Sequence, residues 1–196
     1  MELTDENPTS VEDQPSALVV WITGLSGAGK TTLATEIRRR MLDQGQKALL
    51  LDGDEVREVF ADPRGSATAI GREDRIQFGH RYGRLGRLVA RQGINAIVST
   101  ISLAREVHDW NRANIRNYVE IYLRVPLEEL RRRDPKGIYR RYDSGQGSNV
   151  WGLDIPFDEL QNPDLIVDFR PDVSAVAIAD QVMPILQDRL RALNRS

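Results

Sequence analysis

Gly24-Leu25-Ser26-Gly27-Ala28-Gly29-Lys30-Thr31-Thr32 constrains this chain more than any other stretch. The pattern is a glycine, four residues, then glycine-lysine-threonine. Before it runs Ala17-Leu18-Val19-Val20-Trp21-Ile22-Thr23, a short apolar run that reads as a buried strand. After it, Leu33-Ala34-Thr35-Glu36-Ile37-Arg38 has helix-forming composition. A glycine-rich turn between strand and helix aims successive backbone N–H groups, and the positive end of the helix dipole, at one point. A polyphosphate suits that point. Lys30 would reach the β- and γ-phosphates, and the Thr31 hydroxyl would hold Mg²⁺.

The rest of the chain extends this unit. Lys47–Leu51 predicts a second strand running into Asp52-Gly53-Asp54, and a polar, turn-rich stretch follows with Asp62-Pro63 and Gly65-Ser66. A long helix is expected over 73–92 and stopped by Gly93, with strands at 94–99 and 118–123 and a helix at 103–116. Pro126 is expected at the first position of a short helix. Residues 134–152 read as a flap rich in glycine and charge, 165–167 as a last strand, and 173–193 as a closing amphipathic helix. Alternating strands and helices predict an α/β three-layer sandwich around a mainly parallel sheet of about five strands. Ligands then sit beyond the carboxyl ends of the strands, where the phosphate loop, Asp52, Asp54 and residues 99–102 would collect.

Composition narrows the function classes. The 196 residues suffice for one α/β domain, and no apolar run approaches the ~18 residues of a membrane span. A net charge of −2 gives no ground for bulk nucleic-acid binding. There is no cysteine, which excludes thiolate chemistry and suits a reducing cytoplasm, and no secretory leader is visible. Residues 1–16 hold five acids and no base and read as a disordered acidic tail before a kinase-type domain over 17–196.

Phosphoryl transfer needs a metal bridging the phosphates and a residue that orients the attacking oxygen. Asp54 is assigned to the acceptor hydroxyl and Asp52 to a Mg²⁺-bound water. Arg57, Arg75 and Arg81 are expected to flank the mouth of the site, where guanidinium forks suit an anionic acceptor. Arg84, Arg87 and Arg91 share helical spacing and read as a solvated face. The run Arg131-Arg132-Arg133-Asp134-Pro135-Lys136-Gly137 would open a basic lid that excludes water. His80 and His108 have no metal-ligand spacing, and His108 reads as a surface helix residue. A nucleotide switch or non-catalytic scaffold is the competing class, but the chain has no N-K-x-D guanine motif.

GLSGAGKTT, LDGDEVR, REDR, a strand ending in VSTIS, RRDPKGIY and NPDLIVD occur in the order seen in adenylylsulfate (APS) kinases. Over about residues 18–190 the chain resembles that family. The resemblance implies a P-loop kinase fold, MgATP, transfer to the ribose 3′-hydroxyl of adenylyl sulfate to give PAPS, and a homodimer. It implies that Gly24 to Thr32 bind ATP, Asp54 is catalytic, Arg57 and Arg75 contact the acceptor nucleotide, and Lys136 belongs to the lid. It also places Ser102 where the family carries a phosphoserine, although direct in-line transfer needs no enzyme nucleophile. Ser99, Ile101, Phe78, Val150 and Trp151 fall in the acceptor region.

The departures concentrate there. Two phenylalanines that sandwich the acceptor's adenine in the family fall at Ile70 and Val150, an asparagine becomes Phe78, and an arginine becomes His80. Base–aromatic stacking contributes roughly 1–3 kcal/mol per ring. Losing two rings therefore costs about 2–6 kcal/mol, partly offset by Trp151 or Phe78. Asn149 to Asp154 and Thr100-Ile101-Ser102 are closer to a branch that phosphorylates another nucleotide-activated group, such as cytidine diphosphoramidate.

Overall fold

The computed structural model describes residues 17–60, 71–193 and 195. The expected acidic tail, the turn-rich stretch at 62–66 and Ile70 lie outside the described residues.

Five parallel strands form one sheet: β1 (Val19–Thr23), β2 (Ala48–Asp52), β3 (Asn95–Ser99), β4 (Tyr118–Arg124) and β5 (Leu165–Asp168), in the order β2-β3-β1-β4-β5. The central strand β1 reads VVWIT and is buried throughout, the continuous apolar run of a strand covered on both faces. Two long helices, α1 (Lys30–Asp43) and α3 (Arg72–Arg91), carry the crossovers out of β1 and toward β3. Helix α1 packs with the closing helix α7 (Ala175–Leu193) on one face, and α3 packs with α4 (Arg105–Asn114) on the other. The short helices α2 (Gly53–Val59), α5 (Leu127–Arg133) and α6 (Ile138–Asp143) all begin at or beyond the carboxyl edge. The three-layer α/β sandwich is the fold the sequence predicts.

Glycine spacing in α3 sets how closely the helical layer approaches. A Cβ on Gly83 would lie 2.2 Å from Asn111 Oδ1 of α4, and one on Gly79 would lie 2.7 Å from Val107 Cγ2. A side chain at either position would push the two helices apart.

Four expectations change. Pro126 is the N-cap of α5 rather than its first residue; with ψ 142° it is still extended. The segment at 134–152 contains a helix, α6, capped by the Asp134 carboxylate, which accepts from the N–H groups of Tyr139 and Arg140. Asp52-Gly53-Asp54 does not turn and stop: Asp52 caps α2 by accepting from the Asp54 N–H at 2.9 Å, so a helix starts where only a turn was read.

The fourth is His108, which is 4% exposed and not on the surface. Its Nδ1 bonds Glu120 of β4, whose carboxylate also accepts from the Tyr118 hydroxyl at 2.7 Å and from Arg112 at 2.9 Å. Burial pushes the Glu120 carboxyl up, but the bonds from His108 and Tyr118 and the Arg112 charge more than offset it, and it stays below the usual range. Glu120 lies 12 residues from His108 in the chain, so helical patterning alone could not reveal the partner.

Candidate active site

The loop between β1 and α1 is shaped by close approach. Gly24 has φ 150°, and a Cβ there would sit 2.6 Å from the Leu123 carbonyl oxygen of β4. Gly27 and Gly29 adopt left-handed φ of 81° and 95°, and Gly29 is the N-cap of α1. Left-handed glycines curl consecutive N–H groups into a nest, and the first N–H groups of α1 have no carbonyl one turn back. The resulting cradle lines a cavity of about 390 Å³ together with Asp52, Asp54, Arg57, Ser99 and Lys136.

Lys30 points its ammonium at this cavity and donates to the Leu25 carbonyl at 2.9 Å. Burial, then the neighbouring Lys136 charge, lowers its pKa to about 7, against the smaller opposing pull of Asp54 and Asp52. A cation held at that disadvantage is one an incoming polyanion would recharge.

The Thr31 hydroxyl donates to Asp52 Oδ2 at 2.7 Å and lies 3.4 Å from Ser99 Oγ. Hard oxygen donors in this number suit Mg²⁺, which keeps several waters and takes its remaining ligands from substrate phosphates. Among the described residues no group of three or more histidines, cysteines or carboxylates could cage a metal by itself.

Across the cavity, Asp54 is half-exposed and held by two cations, Arg57 and Lys136. Burial would raise its carboxyl, but the Lys136 bond and the Arg57 charge keep it below the ordinary range. Helices α5 and α6 rest on the phosphate loop: the Tyr139 hydroxyl of α6 donates to the Ser26 carbonyl at 3.0 Å, and Arg133 Nη1 of α5 approaches the Gly27 carbonyl at 3.4 Å.

A smaller pocket of about 30 Å³ opens beside the main one, lined by Arg57, Arg75, Phe78, Tyr82, Ile101, Ser102 and Trp151 among others. Arg75 Nη2 donates to the Asn149 carbonyl at 2.6 Å, tying α3 to the loop that carries Val150 and Trp151. Desolvation, then the neighbouring Arg57, lowers the Arg75 pKa, the signature of two guanidiniums facing one space. Ser102 is buried with φ 27°, and its hydroxyl lies 3.1 Å from Thr100 Oγ1.

Not every expected residue joins. Val150 is buried but lines neither pocket. Arg81 is exposed and stacks on the Phe78 ring at 5.0 Å, outside both linings. Within the arginine run only Arg133 reaches the cavity; Arg131 pairs with Asp143 and Arg132 with Glu129.

A third cavity of about 220 Å³ went unread in the sequence. It shares Gly29, Thr32 and Arg133 with the main one and is walled by Phe169, Arg170, Val173 and Ile178, with the Arg133 guanidinium 4.8 Å from the Phe169 ring centre. The available signal was the aromatic directly after β5, at the same sheet edge as the phosphate loop.

No helix among the described residues is long and apolar enough to cross a membrane. Residues 16–168 match the family described as adenylylsulphate kinase. A probable adenylyl-sulfate kinase of Archaeoglobus fulgidus is 38% identical over 152 residues, covering 78% of this chain and 96% of the relative. A cytidine diphosphoramidate kinase of Campylobacter jejuni is 35% identical over 149 residues, covering 76% and 84%. Among solved structures, the APS kinase CysC of Mycobacterium tuberculosis, in complex with AMPPNP and APS, superposes with a TM-score of 0.80 at 31% identity, covering 88% of this chain and 99% of that one. A glycine-rich phosphate loop on this sheet order, with these relatives, has one explanation: the chain belongs to the adenylylsulphate kinase family of P-loop kinases.

Proposed function

We propose that this protein transfers the γ-phosphoryl group of ATP to the ribose 3′-hydroxyl of adenylyl sulfate, giving PAPS and ADP. The observation that carries the transfer is the convergence of Lys30, Asp54, Arg57 and Lys136 on one cavity beside the phosphate loop.

ATP's phosphates lie in the cradle of Gly24 to Thr32, with Lys30 charged against them. Its base fits the cavity walled by Phe169, Val173 and Ile178, with Arg133 above it. Thr31 and Asp52 would hold Mg²⁺, which supplies neutralisation of the charge that develops on the phosphate oxygens. Asp54 orients the acceptor hydroxyl in line with the γ-phosphorus. The acceptor oxygen forms the new P–O bond, the bond from γ-phosphorus to the β,γ-bridging oxygen breaks, and that electron pair leaves on ADP. The hydroxyl proton passes to Asp54 and then to water. Because its pKa is low, Asp54 accepts that proton late, which suits a loose transition state in which the nucleophile needs little activation.

Lys136 is paired with Asp54. Phosphates entering the cradle compete for Lys136 and release the carboxylate to the acceptor. Arg57 and Arg75 face the acceptor's anionic group. Ser99, Ile101 and Trp151 border its nucleoside, Phe78 lies at the floor, and Ser102 stays a wall residue.

A second reading replaces adenylyl sulfate by a cytidine-based conjugate. The altered acceptor region favours it: Phe78 lines the pocket, and Val150, buried outside the lining, offers it no ring. Initial rates of ADP formation with adenylyl sulfate and with cytidine diphosphoramidate, side by side, decide between them. Turnover of adenylyl sulfate at micromolar concentration supports the first reading, and turnover of the cytidine compound alone replaces it with the second.

A further inference from the structure

Arg75, Phe78 and Tyr82 stand at i, i+3 and i+7 on α3, so they share one face of the helix, and all three line the smaller pocket. Tyr82 is 2% exposed and lies against Phe78, with ring centres 6.3 Å apart and planes tilted by 31°. A phenyl ring would pack there as well, and a hydroxyl buried without a partner is costly. The Tyr82 hydroxyl has a partner: it donates to the Gly53 carbonyl of α2 at 3.0 Å. Burial pushes its pKa up to about 12, against the nearby Arg57 charge, so at neutral pH it keeps its proton and acts as a donor.

That carbonyl belongs to the residue between the two aspartates of the main cavity. Three contacts pin the backbone there. Asp52 caps α2 and accepts from the Thr31 hydroxyl at 2.7 Å. A Cβ on Gly53 would lie 3.0 Å from the Ser99 carbonyl oxygen and 3.2 Å from Thr100, so the turn rests on the end of β3. The third contact is the Tyr82 bond, which links the turn to α3. Asp54 is the next residue, and its carboxylate is half-exposed, so its direction follows from the backbone of this first turn. Helix α2 is seven residues long, too short to hold its own geometry without tertiary contacts.

We propose that Tyr82 is a positioning residue: its hydroxyl holds the first turn of α2 so that the Asp54 carboxylate meets the phosphate cradle and the acceptor in one fixed geometry. This role rests on the function proposed above, in which Asp54 orients the acceptor hydroxyl. Tyr82 acts through Gly53 and Asp54 and not on the reacting atoms. A misplacement of about 1 Å at an orienting group costs up to about 10²-fold in rate.

Tyr82→Phe removes the hydroxyl and keeps the ring. In the full-length chain it is expected to lower kcat roughly 5- to 100-fold with the better of the two acceptors and to leave the ATP KM within about twofold. The same change in an Asp54→Ala background is expected to lower kcat by less than about twofold, because the group it positions is gone. An unchanged kcat, even with a raised acceptor KM, overturns the proposal, and so does an equal loss in both backgrounds, since Tyr82 then only walls the pocket or packs. A second readout needs no transfer. Burial raises the Asp54 carboxyl, and the Lys136 bond with the charges of Arg57, Lys136 and Lys30 more than offsets it, so it sits below the ordinary range. Followed by carboxyl-carbon NMR, its titration is expected to move up toward the ordinary value in Tyr82→Phe, as the turn loosens. Identical titration in the two chains overturns the proposal whatever the rates. Should the parent chain transfer to neither acceptor, the function proposed above fails, and this titration alone decides the role of Tyr82.

Discussion

The two pockets of the cleft, proposed above for donor and acceptor, are built from different materials. The phosphate cradle is made of backbone: Gly24, Gly27 and Gly29 shape it, and N–H groups face the ligand space. Lys30 and Thr31, whose side chains line the same cavity, come from the same stretch. The smaller pocket, proposed above for the acceptor, is made of side chains from four separate places: Arg57 of α2, Arg75 and Phe78 of α3, Thr100 to Ser102 after β3, and Trp151 beyond α6. A site made of local backbone is carried by a short pattern and tolerates little change. A site assembled from distant side chains can be rebuilt one residue at a time, and Phe78, which lines this pocket, is where the sequence resemblance implies a departure.

That contrast can be broken or sharpened by mutation. The largest effect is expected for Lys30→Ala, a loss of about 10²- to 10³-fold in kcat with every acceptor, because one preorganised charge at the transferring group is removed. Thermal melting within a few degrees of the parent separates this from unfolding. Asp54→Asn is expected to lower kcat by about 10²-fold with little change in KM for ATP, as the proton acceptor and the clamp for Lys136 are lost together. Equal loss of ATP affinity would move Asp54 to the donor half. Trp151→Ala should raise the acceptor KM by roughly 5- to 150-fold, the value of one stacked ring, and leave the ATP KM unchanged. A shift in the ATP KM instead would erase the division between the halves.

A smaller effect is expected from pH. With its pKa lowered to about 7, Lys30 is mostly neutral above that pH in the free protein and charged against phosphate. ATP binding should therefore take up about 0.9 proton at pH 8 and little at pH 6, read by calorimetry in buffers of different ionisation enthalpy. Uptake that does not grow between pH 6 and 8 would remove Lys30 as the group recharged. Gly83→Ala, outside both halves, should lower stability by about 1–3 kcal/mol in denaturant melts while leaving both KM values unchanged.

The same distinction explains what was legible beforehand. The strands, the two long helices and the cradle follow from local pattern, since a buried strand and a glycine-rich turn both announce themselves within ten residues. Helix α2 was hidden because Asp52 serves at once as strand end and N-cap, and Gly53 reads as a turn. His108 was misplaced because its partner lies on β4. Arg81 was placed in the site on residue type, but its position on α3 aims it at Phe78 and solvent. The cavity walled by Phe169 needs β5, α5 and α1 together, and none of them predicts it singly.

The most direct test of the account is ADP formation from MgATP by the purified full-length chain, with and without a 5′-activated nucleotide. The account predicts ADP release that requires the acceptor and falls about 10²- to 10³-fold in Lys30→Ala. ADP release that proceeds at the same rate without any acceptor would contradict it.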